Sequence, residues 1–373
     1  MEKIKILYFV DRLLLGGIQK LIVEWALKID KSKFQVDFLL LDDGQEYDLE
    51  KRLKEEGFHV YKLEGIWIKS LLDYIDYAKA LDLFFSNHRD YKVVHMHSSS
   101  KNFLVLKYAK KYQVPIRIAH SHNIDFQTKN KLKKCFGDVL KISLRKYATD
   151  YFACSTIAGE WLFGKQIVKG PSFKVIHNAI DYGKFKFDPK MREKMRAEFK
   201  ISGDVLLIGN VGRFMNQKNH TFLIDIFYEL TKLNPNVMLI LIGIGEKEEE
   251  IKNKVAKLHL KDRVIFAGFR ENVNELMQAM DVFLLPSLHE GLPVVGIEAQ
   301  ASGLPVFTSK DVVTKELKIT NQVHFISLEK NASEWANDIL KSDLSRGNTR
   351  KYFEKEGFLI EDIVKELSDF YMK

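Results

Sequence analysis

Short apolar runs recur along the whole chain, separated by longer stretches with one apolar side. Residues 4–10, 36–41, 93–96, 116–120 and 151–154 in the first half are almost wholly apolar. Runs at 205–211, 237–242, 264–266, 282–285 and 306–308 repeat the plan in the second half. Such runs predict buried strands. The intervening segments, such as 18–29 and 71–85, carry apolar residues at helical spacing. Alternating strand and helix predicts an α/β protein whose parallel sheets are covered on both faces. No short-period repeat or low-complexity tract interrupts the pattern.

At 373 residues the chain is too long for one ordinary core, which predicts two domains. Gly170-Pro171 punctuates a loop and places the break within 169–181. Hydrophobic residues at 46% and charged residues at 29% are ordinary for a soluble protein. No apolar run approaches the roughly 20 residues that span a bilayer. The N-terminus runs straight into a strand without a secretory pattern, and Cys135 and Cys154 form neither a disulfide framework nor a zinc motif. A reducing cytoplasm is the expectation. The net charge of +8 is compatible with nucleic acid, an anionic membrane surface or an anionic substrate. It is uneven: residues 101–146 hold twelve Lys or Arg against Asp125 and Asp138. The stretch 129–146 reads as a basic amphipathic helix that can rest on anionic headgroups, or one whose apolar side is simply core.

The densest chemistry follows the strand at 282–285. Glu290 falls on the strand-to-helix loop, and Glu298 lies eight residues on, within the helix. A loop carboxylate there can accept hydrogen bonds from sugar hydroxyls, the amides of Gly291 and Leu292 can face an anion, and Glu298 can bind a ribose diol. Arg213 and Lys218 follow the strand at 205–211, where ligands bind in open α/β sheets, and both suit a diphosphate. Gly16-Gly17 allows close backbone approach after the first strand. Gly243-Ile244-Gly245 lacks the third glycine of a dinucleotide fingerprint, and Glu248 stands in its place. That disfavours an NAD-dependent oxidoreductase and leaves a glycine loop lining a ligand cleft. Phe269-Arg270 could hold a base by backbone bonds, with Arg270 stacking or reaching phosphate. His97, His120 and His122 end neighbouring strands. With His95 they make a conceivable zinc set, but no carboxylate partner has convincing spacing.

These pieces resemble, in order and over nearly the whole chain, the retaining glycosyltransferases of family 4. The carriers of the likeness are Gly16-Gly17, the run Gly209–Asn219, Gly243-Ile244-Gly245, Gly268-Phe269, Pro286-Ser287 and the segment from Glu290 to Glu298. The resemblance implies the GT-B architecture: two Rossmann-like, doubly wound parallel-sheet domains facing across a cleft. It implies an acceptor domain at 1–170, a donor domain at 176–352 and a tail helix at 353–373 crossing back onto the first. It assigns catalytic roles to His120, Glu290, Arg213 and Lys218, with His120 touching the transferred sugar. Gly16, Gly17, Arg213, Lys218, Gly243, Phe269, Arg270, Glu290, Gly291, Leu292 and Glu298 would bind the donor. No metal or other cofactor is expected. The implied reaction moves a hexose or N-acetylhexosamine, with retention, from a nucleoside diphosphate sugar (UDP foremost) to a glycan. The basic segment points to a lipid-linked acceptor at the inner membrane face, as in capsule or exopolysaccharide assembly. The rivals are an epimerase of the same architecture and a noncatalytic basic protein; for the latter, no nucleic-acid-binding motif is present.

Overall fold

Parallel pairing of the apolar runs builds two separate sheets in the computed structural model, which describes residues 2–14, 16–66, 68, 72–124, 130–310 and 312–373. Leu71, Asp125 and Lys129, which belong to stretches discussed above, lie outside the described residues. The first sheet holds β1 (Ile4–Val10), β2 (Phe34–Leu41), β3 (Val60–Leu63), β4 (Val93–Met96), β5 (Ile116–Ser121), β6 (Asp150–Ala153) and β7 (Phe173–Val175), in the order β3-β2-β1-β4-β5-β6-β7. The second holds β8 (Leu206–Val211), β9 (Val237–Ile242), β10 (Val264–Gly268), β11 (Val282–Leu285), β12 (Val306–Ser309) and β13 (Val323–Ile326), in the order β10-β9-β8-β11-β12-β13. Strand order therefore reverses beside β1 in one sheet and beside β8 in the other. Such switch points open a crevice at the carboxyl ends of the strands. Ile6 sits between Val36 and Val93 in register, and Ile208 lies between Leu239 and Val282.

The helices that matter for the site are α1 (Gly17–Lys28), α2 (Asp73–Asn87), α3 (Phe103–Lys111), α4 (Lys131–Tyr147), α5 (Pro189–Glu198), α6 (His220–Leu233), α7 (Val294–Ala301), α8 (Arg350–Glu356) and α9 (Ile360–Tyr371). Two compact units result: one is Met1–Ala179 with Ile360–Lys373, the other Ile180–Leu359. The crossings at 179/180 and 359/360 lie later than the division into 1–170, 176–352 and 353–373.

The tail is two helices rather than one. Gly357 ends α8 in the left-handed region at φ 71°, a conformation that side chains with a Cβ rarely adopt. Beyond it α9 buries Ile360, Ile363, Val364, Leu367 and Phe370 in the core of the first unit, beside α1 and the inner residues of β1 and β2. These positions follow helical spacing. At roughly 1.5–3 kcal/mol for each fully buried side chain, their gross contribution is on the order of 10 kcal/mol.

Candidate active site

In the second unit the loops after β8 and β11 are stitched to each other. Leu288 N donates to Gln217 O at 2.8 Å, Gln217 Nε2 to His289 O at 3.0 Å, and Asn219 Nδ2 to Pro286 O at 3.0 Å. Asn219 itself sits in the left-handed region at φ 54° and leads into α6. This brings Lys218 and Glu290 together, although 72 residues separate them. Lys218 Nζ lies 2.6 Å from Glu290 Oε1, and Ser287 Oγ donates to the same oxygen at 2.9 Å. Glu290 is 7% exposed. Arg213, one turn of loop earlier, is exposed and has no side-chain partner among the described residues. A cation at the carboxyl end of the sheet with no carboxylate to neutralise it is suited to an anionic ligand.

Gly243 and Gly245 support this loop from behind. A Cβ on Gly243 (φ 141°) would stand 2.2 Å from Gly212 O, and one on Gly245 would stand 2.5 Å from Phe214 O. Only glycine lets the loop after β9 lie against the backbone that carries Arg213.

Helix α7 starts at Val294, three residues after Gly291, with Pro293 as its N-cap in extended backbone. Gly291 and Leu292 are therefore loop residues, and Glu298 stands just past the first turn, half-buried. Phe269 is 43% exposed after β10. Arg270 is turned onto its own unit instead of standing free for phosphate: its Nε donates to Ala267 O at 3.1 Å, and its guanidinium lies 5.6 Å from the Phe199 ring centre.

In the first unit, Gly16 precedes α1 and Gly17 begins it. Four histidines named from the sequence converge at the ends of β4 and β5. His95 Nε2 is hydrogen-bonded to His120 Nδ1, and His97 Nδ1 to His122 Nε2, both at 3.0 Å. Tyr371, at the end of α9, holds His95 Nδ1 at 2.7 Å and Tyr8 at 3.0 Å through its hydroxyl. Trp25 stacks on His120. His120 is fully buried while His122 is 7% exposed, so His120 lies beneath the surface of this edge. Burial, reinforced by the neighbouring imidazoles, holds His95, His97 and His120 well below the ordinary histidine value, and burial lowers His122 to about 4. All are neutral rings at pH 7. Ligand nitrogens of His95, His97 and His120 come within 4.8 Å of one another, and no other such grouping occurs among the described residues. Nε2 of His97 and of His120 have no hydrogen-bond partner among the described residues. Beside the histidines, Asp11 follows β1 and accepts from Ser98 Oγ, from Asn102 Nδ2 at 2.7 Å and from Lys101 Nζ at 2.8 Å.

The basic segment divides into two kinds of cation. Arg117, Lys141 and Arg145 donate to backbone carbonyls within the unit. Lys107, Lys110, Lys131 and Lys146 are exposed, with no carboxylate partner among the described residues. Helix α4 is apolar on two sides. Leu140 and Leu144 face the core, whereas Leu132, Phe136, Val139 and Ile142 form an outer stripe that is 82%, 40%, 56% and 66% exposed. The apolar side of this helix is thus not simply core. Among the described residues no helix is long and apolar enough to cross a membrane.

The family model described as Glycosyltransferase Family 4 matches residues 15–184, and that described as Glycosyl transferases group 1 matches residues 191–358. EpsF of Bacillus subtilis (strain 168), a glycosyltransferase by name, is 30% identical over 357 residues, covering 94% of this chain and 91% of that protein. The UDP-Gal:alpha-D-GlcNAc-diphosphoundecaprenol alpha-1,3-galactosyltransferase of Escherichia coli is 26% identical, covering 83% of this chain and 80% of that one. Anabaena HepE, solved in complex with UDP and glucose, superposes with a TM-score of 0.80 at 19% identity, covering 99% of this chain and all of HepE. At that identity the likeness speaks for the fold.

Proposed function

Because the chain belongs to the family 4 glycosyltransferases and has their GT-B pair of parallel-sheet units, we propose that it transfers a hexose or N-acetylhexosamine, with retention, from a UDP-sugar to a lipid-linked glycan. The setting is capsular or exopolysaccharide assembly at the cytoplasmic face of an anionic membrane. The observation that carries this reading is the Lys218–Glu290 pair at the switch point beside β8, with Arg213, which has no side-chain partner among the described residues, on the same loop.

As the bond between sugar and diphosphate breaks, negative charge grows on the leaving oxygens. Arg213 forks onto these oxygens, and Lys218, held in place by Glu290, supplies a compact charge. Glu290 accepts from the sugar hydroxyls, and Glu298 accepts from the ribose diol. With retention, the acceptor attacks on the face the diphosphate leaves. The acceptor's proton passes to a departing phosphate oxygen. The neutral histidines on the first sheet suit hydrogen bonding to hydroxyls rather than to charge, with His120 held in place by His95. The exposed apolar stripe of α4 and its lysines support contact with anionic headgroups.

The test is release of UDP from UDP-sugars in the presence of vesicles bearing lipid-linked saccharides. Glu298→Ala should abolish or sharply weaken donor use while the fold persists. Full turnover in that variant would remove Glu298 from the site. Conversion of the donor sugar without any acceptor would point instead to an epimerase.

A further inference from the structure

We propose that the groove between α2, α3 and α4 seats the isoprenoid chain of the acceptor's lipid carrier, and that Lys101 meets the carrier's diphosphate. This rests on the lipid-linked acceptor proposed above. The groove is open to the surface and has a volume of about 590 Å³, within the usual range of ligand sites. Ile75 and Ala78 of α2, Phe103 and Leu104 of α3, and Phe136 and Leu140 of α4 line it. Ile75 and Phe136 are 57% and 40% exposed, so apolar wall stands open to water. A chain of methyl and methylene groups would relieve that exposure.

The surroundings favour a carrier over a loose membrane lipid. Phe136 belongs both to the groove and to the outer stripe of α4, so the groove opens onto the surface that faces headgroups. Tyr74 lines the same groove and donates through its hydroxyl to Lys101 O at 2.9 Å. The Lys101 side chain, 45% exposed, is paired with Asp11 at 2.8 Å at the carboxyl end of β1, a pair that the carrier's diphosphate would open to take the ammonium. A molecule with its chain in the groove and an anionic head on Lys101 would therefore carry its saccharide to the switch point beside β1. The acid in the groove wall, Asp82, is already paired with Lys111 at 2.7 Å and does not repel such a head.

The experiment uses the full chain on phosphatidylcholine–phosphatidylglycerol vesicles and a diazirine-bearing geranylgeranyl diphosphate. Photolabel should map to residues 72–87, 103–111 and 131–147. Excess undecaprenyl diphosphate should reduce it tenfold or more, while added phosphatidylglycerol should not. Ala78→Trp, which fills the groove, should lower labelling by a similar factor with vesicle binding unchanged. The smaller Ala78→Leu gives a graded loss if the Trp variant folds poorly. Label elsewhere, equal competition by phosphatidylglycerol, or undiminished labelling in both variants would overturn the assignment. No sugar transfer is needed for labelling. Loss of the groove with intact transfer to lipid-linked saccharides would defeat this inference alone, whereas absence of transfer would defeat the functional reading.

Discussion

Replacing Lys218 should weaken nucleotide binding, whereas replacing Glu290 should not. In the ligand-free protein the Lys218 ammonium is spent on Glu290 at 2.6 Å, with side-chain exposures of 14% and 8%. Lys218→Met strands a nearly buried carboxylate. Removing one partner of a buried pair costs about 3–5 kcal/mol. Because Ser287 Oγ still donates to Glu290, the lower end, near 3 kcal/mol, is expected. Glu290→Gln keeps that hydroxyl contact and leaves an amide oxygen to accept from Lys218, so it should cost nearer 1 kcal/mol. The double variant buries no unpaired charge and should be more stable than Lys218→Met alone. For UDP, losing Lys218 removes a hydrogen bond to a charged group. That is worth about 1.5–3 kcal/mol, or roughly 10–150-fold in Kd. Glu290→Gln releases Lys218 for phosphate and should bind UDP as well as the parent or better, while a UDP-sugar loses its advantage over UDP. Urea unfolding and titration calorimetry on the four proteins read both effects. Equal weakening of UDP in the two single variants would refute the reasoning, as would a Lys218→Met protein of parental stability and affinity.

Acid should destabilise the first unit through its histidines. Their folded-state values lie below the ordinary imidazole value near 6.5, so the unfolded chain takes up protons first. Stability is then full above about pH 6.5 and falls as pH drops toward 4, by about 2 kcal/mol at pH 5 for each ring that stays neutral. A flat unfolding profile from pH 7.5 to 5 would contradict this. Tyr371→Phe leaves His95 Nδ1 and the Tyr8 hydroxyl without their shared partner, and should cost about 1–3 kcal/mol in denaturant unfolding. A neutral result would mean that this hydroxyl is dispensable. On the outer face of α4, Val139→Asp and Ile142→Asp should change folding by less than about 0.5 kcal/mol. Each should weaken binding to phosphatidylglycerol vesicles about tenfold or more, through lost apolar insertion and added repulsion. A polarity-sensitive dye on exposed Cys135 reports this without labelling buried Cys154; an unshifted spectrum on vesicles would remove α4 from the membrane contact.

What could be read from the residues followed their burial. Strands β1, β4, β8 and β11 are covered on both faces and stand out as apolar runs. The edge strands β3 and β7 have half-buried residues such as Tyr61 and Lys174, and β13 has His324, so no continuous run marks them. Lys218 and Glu290 were visible because each follows a recognisable strand at a fixed offset. Their helpers Ser287 and Gln217 lie inside the same motif segments, but that they hold Glu290 emerges only once the two loops meet. The link from His95 to Tyr371 spans 276 positions and cannot be inferred from local pattern at all. Gly357 was a visible breaker within the tail, yet apolar spacing resumes after it closely enough to resemble one helix. In α4, periodicity showed one apolar side with two possible uses, and only packing decides that Leu144 is core while Val139 is outside.

The central claim is that an activated saccharide binds at the loops carrying Arg213, Lys218 and Glu290. Saturation-transfer NMR with the folded chain and a panel of nucleotide sugars tests it most directly. At least one donor should show transfer to both its ribose and its hexose protons, and Lys218→Met should erase those signals. Silence from every nucleotide sugar with well-folded protein, or signals untouched by that substitution, would contradict the account.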